Sequence, residues 1–158
     1  MYPAHGAGYV VARERRMVQG AMQEVLVLEL MDGLSVTLPI ERARELLRPL
    51  LSETDLRRVQ ETLRQDRTLS DDVWLRRRRD TKVKLAAGDP LGLAEVVRDS
   101  ALRARRLIAK HNGSQLSPSE RDLYVRARRL LSGEISLAHG MEPLEADAWI
   151  DEQLAAAS

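Results

Sequence analysis

The chain has 158 residues, no cysteine, 3% aromatic residues and a formal net charge of +1. Disulfides and thiolate metal sites are therefore excluded, which suits a reducing compartment. No apolar run reaches the ~18 residues a membrane span needs, and the N-terminus lacks a charged-then-apolar signal pattern, so a soluble, cytoplasmic protein is expected.

Residues 1–40 read as β-structure. A first strand runs from about Tyr9 to Val18, and Gly20 separates it from the β-branched run Val25–Leu30. Asp32-Gly33 is a hairpin signal, because glycine accepts the positive φ of a tight primed turn. Leu34–Leu38 alternates apolar and polar with period two, and Pro39 ends it. Strands this short and this few are expected to curl into a small barrel or sandwich.

Residues 41–51 form a connector with a short helical turn, closed by Arg48-Pro49. Helical periodicity follows. Ser52 caps a helix whose apolar face carries Leu56, Val59 and Leu63. Ser70 is the expected cap of the next helix, with Asp71 and Asp72 in its first turn and Gly88 at its end. Asp89-Pro90 opens a third helix, carrying Ala94, Val97, Ala101, Leu102 and Ile108 to about Lys110. His111–Ser114 is a loop. Ser117-Pro118-Ser119-Glu120 is a capping box opening a fourth helix, which Gly140 breaks. Pro143–Leu154 is a last, acidic helix with Trp149 and Ile150. The expected fold is thus α+β: a small β domain, residues 1–51, followed by a five-helix domain, residues 52–158.

The charge is unevenly spread. Residues 76–129 hold 15 Lys and Arg against 6 Asp and Glu, whereas residues 130–158 hold 6 acids and no Lys or Arg. A near-neutral total thus conceals a polarised molecule. At the start of the basic region Trp74 stands just ahead of Arg76–Arg79, with Lys82 and Lys84 beyond. A cationic stripe binds a phosphate backbone, and an apolar ring beside it can wedge into a base step. The same residues also fit a core tryptophan on a helix with a solvated arginine face. Further basic residues recur at Arg103, Arg105, Arg106 and Lys110, and at Arg121, Arg126, Arg128 and Arg129. If the three helical faces align, they form one surface for phosphates. With no helix-turn-helix or zinc-finger pattern, DNA would be read through its backbone and shape.

Catalytic motifs are absent. His5, His111 and His139 match no ligand spacing, Ser114 and Ser132-Gly133 lack a general-base pattern, and Gly6-Ala7-Gly8 is followed by neither a Walker lysine nor Rossmann spacing. A non-enzyme without cofactor or metal is expected.

Six motifs then occur in an informative order: Tyr2-Pro3-Ala4-His5-Gly6; Leu47-Arg48-Pro49-Leu50-Leu51-Ser52; Trp74 with its arginines; Leu85-Ala86-Ala87-Gly88-Asp89; Ala94-Glu95-Val96-Val97-Arg98-Asp99; and Ala127–Glu134. Together they resemble the CarD/CdnL family of bacterial RNA polymerase-binding transcription regulators, over nearly the whole chain. The resemblance implies a Tudor-like (SH3-like) N-terminal barrel that docks on the polymerase β subunit, and a helical domain that contacts promoter DNA at the upstream edge of the melted bubble. It places Trp74 as the minor-groove wedge, Arg76, Arg77 and Arg79 as phosphate contacts, Arg121 at another basic DNA-facing position, and Arg16 at a polymerase contact. It implies sequence-independent DNA contact by a monomer, held at the nucleoid through polymerase, with no membrane partner.

Three departures stand out. Family members usually begin with a strand before Tyr-Pro; here Met1 directly precedes Tyr2, so either the start lies late or the barrel lacks its first strand. A second polymerase-contacting position, often basic, reads Thr37. The segment Ser100–Gln115 is longer than is typical. Two other readings stand beside the leading one: a polymerase-docking adaptor without productive DNA contact, and a polymerase-independent DNA-architectural protein.

Overall fold

A computed structural model describes residues 1–67, 73–110 and 115–157. Its N-terminal part is a three-stranded antiparallel sheet, β1 (Gly8–Val18), β2 (Ala21–Leu30) and β3 (Ser35–Pro39), in that spatial order. The first hairpin turns through Gln19 and Gly20, both at positive φ (49° and 83°), as a primed two-residue turn requires. The second differs from the primed turn expected at Asp32-Gly33. The Gly33 amide closes on the Leu30 carbonyl, and the Leu30 amide on the Leu34 carbonyl. Only Gly33 is left-handed, at φ 86°, while the Asp32 carboxylate accepts from the Leu34 amide at 3.0 Å. The longer loop arises because Asp32 braces the turn from outside instead of taking a left-handed backbone itself.

β1 is an edge strand. It pairs with β2 alone, its register shifts between Val10 and Ala12, and Tyr9, Val10 and Val11 are exposed. Before it, Tyr2 and Gly6 form an isolated antiparallel bridge, and among the described residues no strand precedes β1. Central β2 supplies the buried Val25, Leu28 and Leu30, with Ala43 of α1 (Ile40–Leu46) also buried.

Five helices follow: α2 (Glu53–Arg64), α3 (Trp74–Ala87), α4 (Pro90–Lys110), α5 (Pro118–His139) and α6 (Pro143–Ala155). Their ends follow local chemistry. Ser52 and Ser117 each form a capping box, with Asp55 and Glu120. The Asp89 carboxylate accepts from the Gly92 amide at the start of α4, and Gly88 and Gly140 end α3 and α5 in left-handed conformation. The core runs through all five helices, with Val59, Leu63, Leu93, Ala94, Val97, Leu131, Ile135 and Ile150 essentially inaccessible. Met1, Ala7 and Leu51 join this same core, so the opening segment and the junction are built into the helical part. Ile108, expected on the apolar face of α4, is 59% exposed, because the last turns of that long helix run past the core. Trp149 is partly buried against the core.

Candidate functional site

α3 begins later than the capping signals suggested. Val73 has extended backbone (φ −53°, ψ 135°) without a side-chain cap, and Trp74 is the first helical residue. The expected cap at Ser70, with Asp71 and Asp72, lies outside the described residues, as does the loop His111–Ser114. The late start matters for the ring. Helical side chains lean toward the N-terminus, so a tryptophan at the first position overhangs the helix end. Trp74 is 36% exposed and does not belong to the core cluster, which resolves the core-or-surface alternative for this residue.

The helix that carries it is attached mainly at its far end. Among the described residues of α3, Leu85 alone is buried. At the C-terminus Gly88, at φ 63°, lies against Pro3; a Cβ there would stand 2.8 Å from the Pro3 Cα. The Tyr-Pro segment is thus a seat for the end of α3. Arg48 strengthens that seat by donating to the Gly88 carbonyl and, through the same guanidinium, to both carboxylate oxygens of Glu134.

The four arginines after Trp74 are not equivalent. Arg76 and Arg79 are exposed. Arg77 is half-buried and lies 3.9 Å from the Glu120 carboxylate. Arg78, one turn beyond Trp74, places its guanidinium carbon 5.2 Å from the centre of the indole ring. Trp74, Arg77 and Arg78 help line a cavity of about 210 Å³ between α3, α4 and α5.

Basic residues farther along do not present one continuous cationic face. Lys84 pairs with Glu95 at 2.6 Å, and Arg103 with Glu120 at 2.9 Å. Arg105 and Arg106 donate to the carbonyls of Leu154 and Arg67, and Arg126 to that of Ala4. Arg128 is held by Asp147 and Asp151 of the acidic last helix. Burial works against its charge, yet hydrogen bonds to Asp147, Tyr124 and Asp151 keep it far above the ordinary arginine range. Arg121 is exposed at the start of α5 and donates to the Gln115 side chain. Much of the basic middle is therefore tertiary cement, and the exposed cations on the helix of Trp74 are Arg76, Arg79 and Lys82. No group of acids and histidines among the described residues could hold a metal ion, and no helix there is long and apolar enough to cross a membrane.

Residues 1–51 match the family model of the CarD-like/TRCF RID domain, and residues 58–151 match that of the CarD C-terminal domain. This chain belongs to the CarD family. It is an RNA polymerase-interacting transcription factor, and its sheet is the polymerase-interacting module of that family.

In this CarD-family chain the two residues implied in polymerase docking lie on the sheet. Arg16 pairs across the ladder with Gln23, and Thr37 with Val27. Gln23 and Val27 have equal parity on β2, so the pleat puts Arg16 and Thr37 on one face. Both are exposed; Arg16 reaches Glu14, two residues back on the same strand, at 2.7 Å. An exposed pair of this kind holds an arginine only weakly.

Three further residues in the CarD-family helical domain lie within motifs read from the sequence, which gave them no role of their own. Glu134 is fully buried and Arg98 is 2% exposed. Arg98 donates to the Gln65 side chain, anchoring the chain where it leaves α2 on its way to α3. Neither position carries a local signal, since a charged residue in a helix is ordinarily solvated. The third, Arg78, could have been found, because a spacing of four residues puts its side chain over Trp74.

Proposed function

We propose that this protein docks on the polymerase β subunit through its N-terminal sheet and stabilises the promoter open complex through its helical domain. The observation that carries this reading is the placement of Trp74 at the first turn of α3, outside the core, with exposed Arg76 and Arg79 on the same helix. Unstacking a base step costs a few kcal/mol, and the cost falls where the duplex is already distorted. A ring that inserts at the edge of a melted bubble therefore binds the open state better than the closed one. Differential affinity of that kind shifts a population without catalysing a reaction.

The cations of α3 supply the sequence-independent part. Phosphate contacts release counterions and hold DNA of any sequence, while the wedge selects its state. Arg121 adds a further cation at the start of α5. The protein acts by binding alone, as a monomer in the cytoplasm.

One observation favours a second reading, an adaptor that docks on polymerase without productive DNA contact. The α4 and α5 arginines are largely engaged with acids and carbonyls, so the surface available for phosphates is smaller than composition suggests. Promoter-complex lifetime, measured with purified polymerase with and without the protein, separates the two. A lengthened open-complex lifetime supports the wedge; recruitment to polymerase with an unchanged lifetime supports the adaptor.

A further inference from the structure

The four arginines after Trp74 look like a uniform cationic run, yet one of them faces the ring instead of solvent. Arg78 lies one helical turn beyond Trp74, with its guanidinium carbon 5.2 Å from the indole centroid, the geometry of a cation–π contact. Its Nε is buried and has no hydrogen-bond partner among the described residues. A buried donor left unsatisfied opposes folding, and an arginine has a long stem with which to avoid that position. A merely solvated side chain would turn outward, as the exposed Arg79 does. Contact with the ring face is what the inward position gains.

The ring needs such a restraint. Trp74 stands at the first turn of α3, where no side-chain cap orders the helix start. It also borders the cavity of about 210 Å³, whose walls carry Val96 and Leu123 among mostly charged and polar side chains. An indole at that rim can also turn inward between α3, α4 and α5, and every population that does so lowers the fraction able to insert. A binding-competent fraction enters apparent affinity directly.

We propose that Arg78 is a positioning residue: by stacking on Trp74 it holds the ring at the helix tip, ready to insert, and it is not one of the phosphate contacts. The proposal rests on the wedge reading of Trp74. Arginine suits the role better than lysine, because a planar guanidinium covers a ring face while an ammonium offers only a point charge.

The test is a double-mutant cycle on open-complex lifetime, with a separate measurement of the ring. Arg78→Met keeps the apolar stem and removes the planar cation. With Trp74 present it should shorten the lifetime roughly threefold; in a Trp74→Ala background it should have no further effect. Arg78→Lys should fall short of the wild type although the charge is kept. In a Trp149→Phe background Trp74 is the remaining tryptophan, and its time-resolved anisotropy should gain fast local motion on Arg78→Met. A lifetime loss of equal size with and without the ring would make Arg78 a DNA contact and overturn the proposal while leaving the wedge intact. Unchanged anisotropy would also overturn it. An unchanged lifetime in Trp74→Ala would overturn the wedge itself, and the positioning role with it.

Discussion

Arg48 at the junction and Glu134 in α5 meet as a two-pronged ion pair, at 2.5 and 2.7 Å, although 86 residues separate them. Glu134 is fully buried and accepts a third hydrogen bond from the Leu51 amide at 2.8 Å. Arg48 also donates to the carbonyls of Gly88 and Pro49. One pair thus joins the end of the polymerase-interacting domain, the C-terminus of the tryptophan helix and the C-terminal half of α5. On the proposed wedge reading, a docked sheet would place Trp74 on DNA only if the parts between them are stiff, and this pair lies on that path.

Breaking the pair from either side should not cost the same. Arg48→Met strands a carboxylate with no access to water, whereas Glu134→Met leaves an arginine whose side chain is 24% exposed. Removing one partner of a buried pair costs about 3–5 kcal/mol. Arg48→Met should fall in that range and Glu134→Met below it, with the double variant recovering part of the loss. Denaturant midpoints of the three variants at constant slope check this; equal costs would mean that water reaches Glu134.

Trp74→Ala should leave polymerase binding unchanged and shorten open-complex lifetime. Trp74 is absent from the core cluster, so the melting temperature should move little. A lifetime equal to that of the wild type would sink the wedge assignment.

Arg77 and Arg79 together should account for part of the sequence-independent affinity. Their joint replacement by Gln should weaken binding to every duplex and lower the salt slope, by about one for each phosphate no longer neutralised. Arg79 should contribute the larger share, since Arg77 already lies 3.9 Å from Glu120. Titrations at several salt concentrations read this directly. A loss confined to particular sequences would count against backbone contacts.

Arg16→Glu should abolish capture of the β subunit, while Thr37→Arg, on the same sheet face, should strengthen it. A hydroxyl cannot replace an arginine fork to a carboxylate. If Arg16→Glu still binds, the docking face lies elsewhere on the sheet.

The start of α5 should weaken in acid. Burial of Glu120 works to raise its carboxyl, but hydrogen bonds from the Ser117 amide and hydroxyl, with the Arg103 charge beside it, hold it below the ordinary value of 4.5. A depressed carboxyl stabilises the fold above its unfolded value and loses that contribution as pH falls through the folded one. Stability should therefore drop more steeply below pH 4.5 in the wild type than in Glu120→Gln, measured by chemical denaturation across the carboxylate range. Parallel curves would mean that the box contributes equally in both protonation states.

Local signals were the most legible. The Ser52 and Ser117 caps, Asp89-Pro90, and the stops at Gly88 and Gly140 all appear where their residue types suggest, because each depends on φ, ψ and hydrogen bonds within a few residues. The Leu30–Leu34 turn was harder to read. Asp-Gly serves both a primed turn and a longer loop with a left-handed glycine, and the strand register chooses between them.

The sequence by itself determined the fold class, most of the helix ends and, through six ordered motifs, the family, since these are carried by short-range patterns and by residue order. Only the tertiary structure decided which charges remain on the surface. Arg48 meets Glu134, Arg128 meets Asp147 and Arg105 meets the Leu154 carbonyl across separations of 86, 19 and 49 residues. A single-residue charge count cannot distinguish such a cation from a solvated one, because desolvation and pairing arise only when distant helices pack. The same packing turned one arginine of four toward Trp74 and left its neighbours exposed to solvent or drawn toward Glu120.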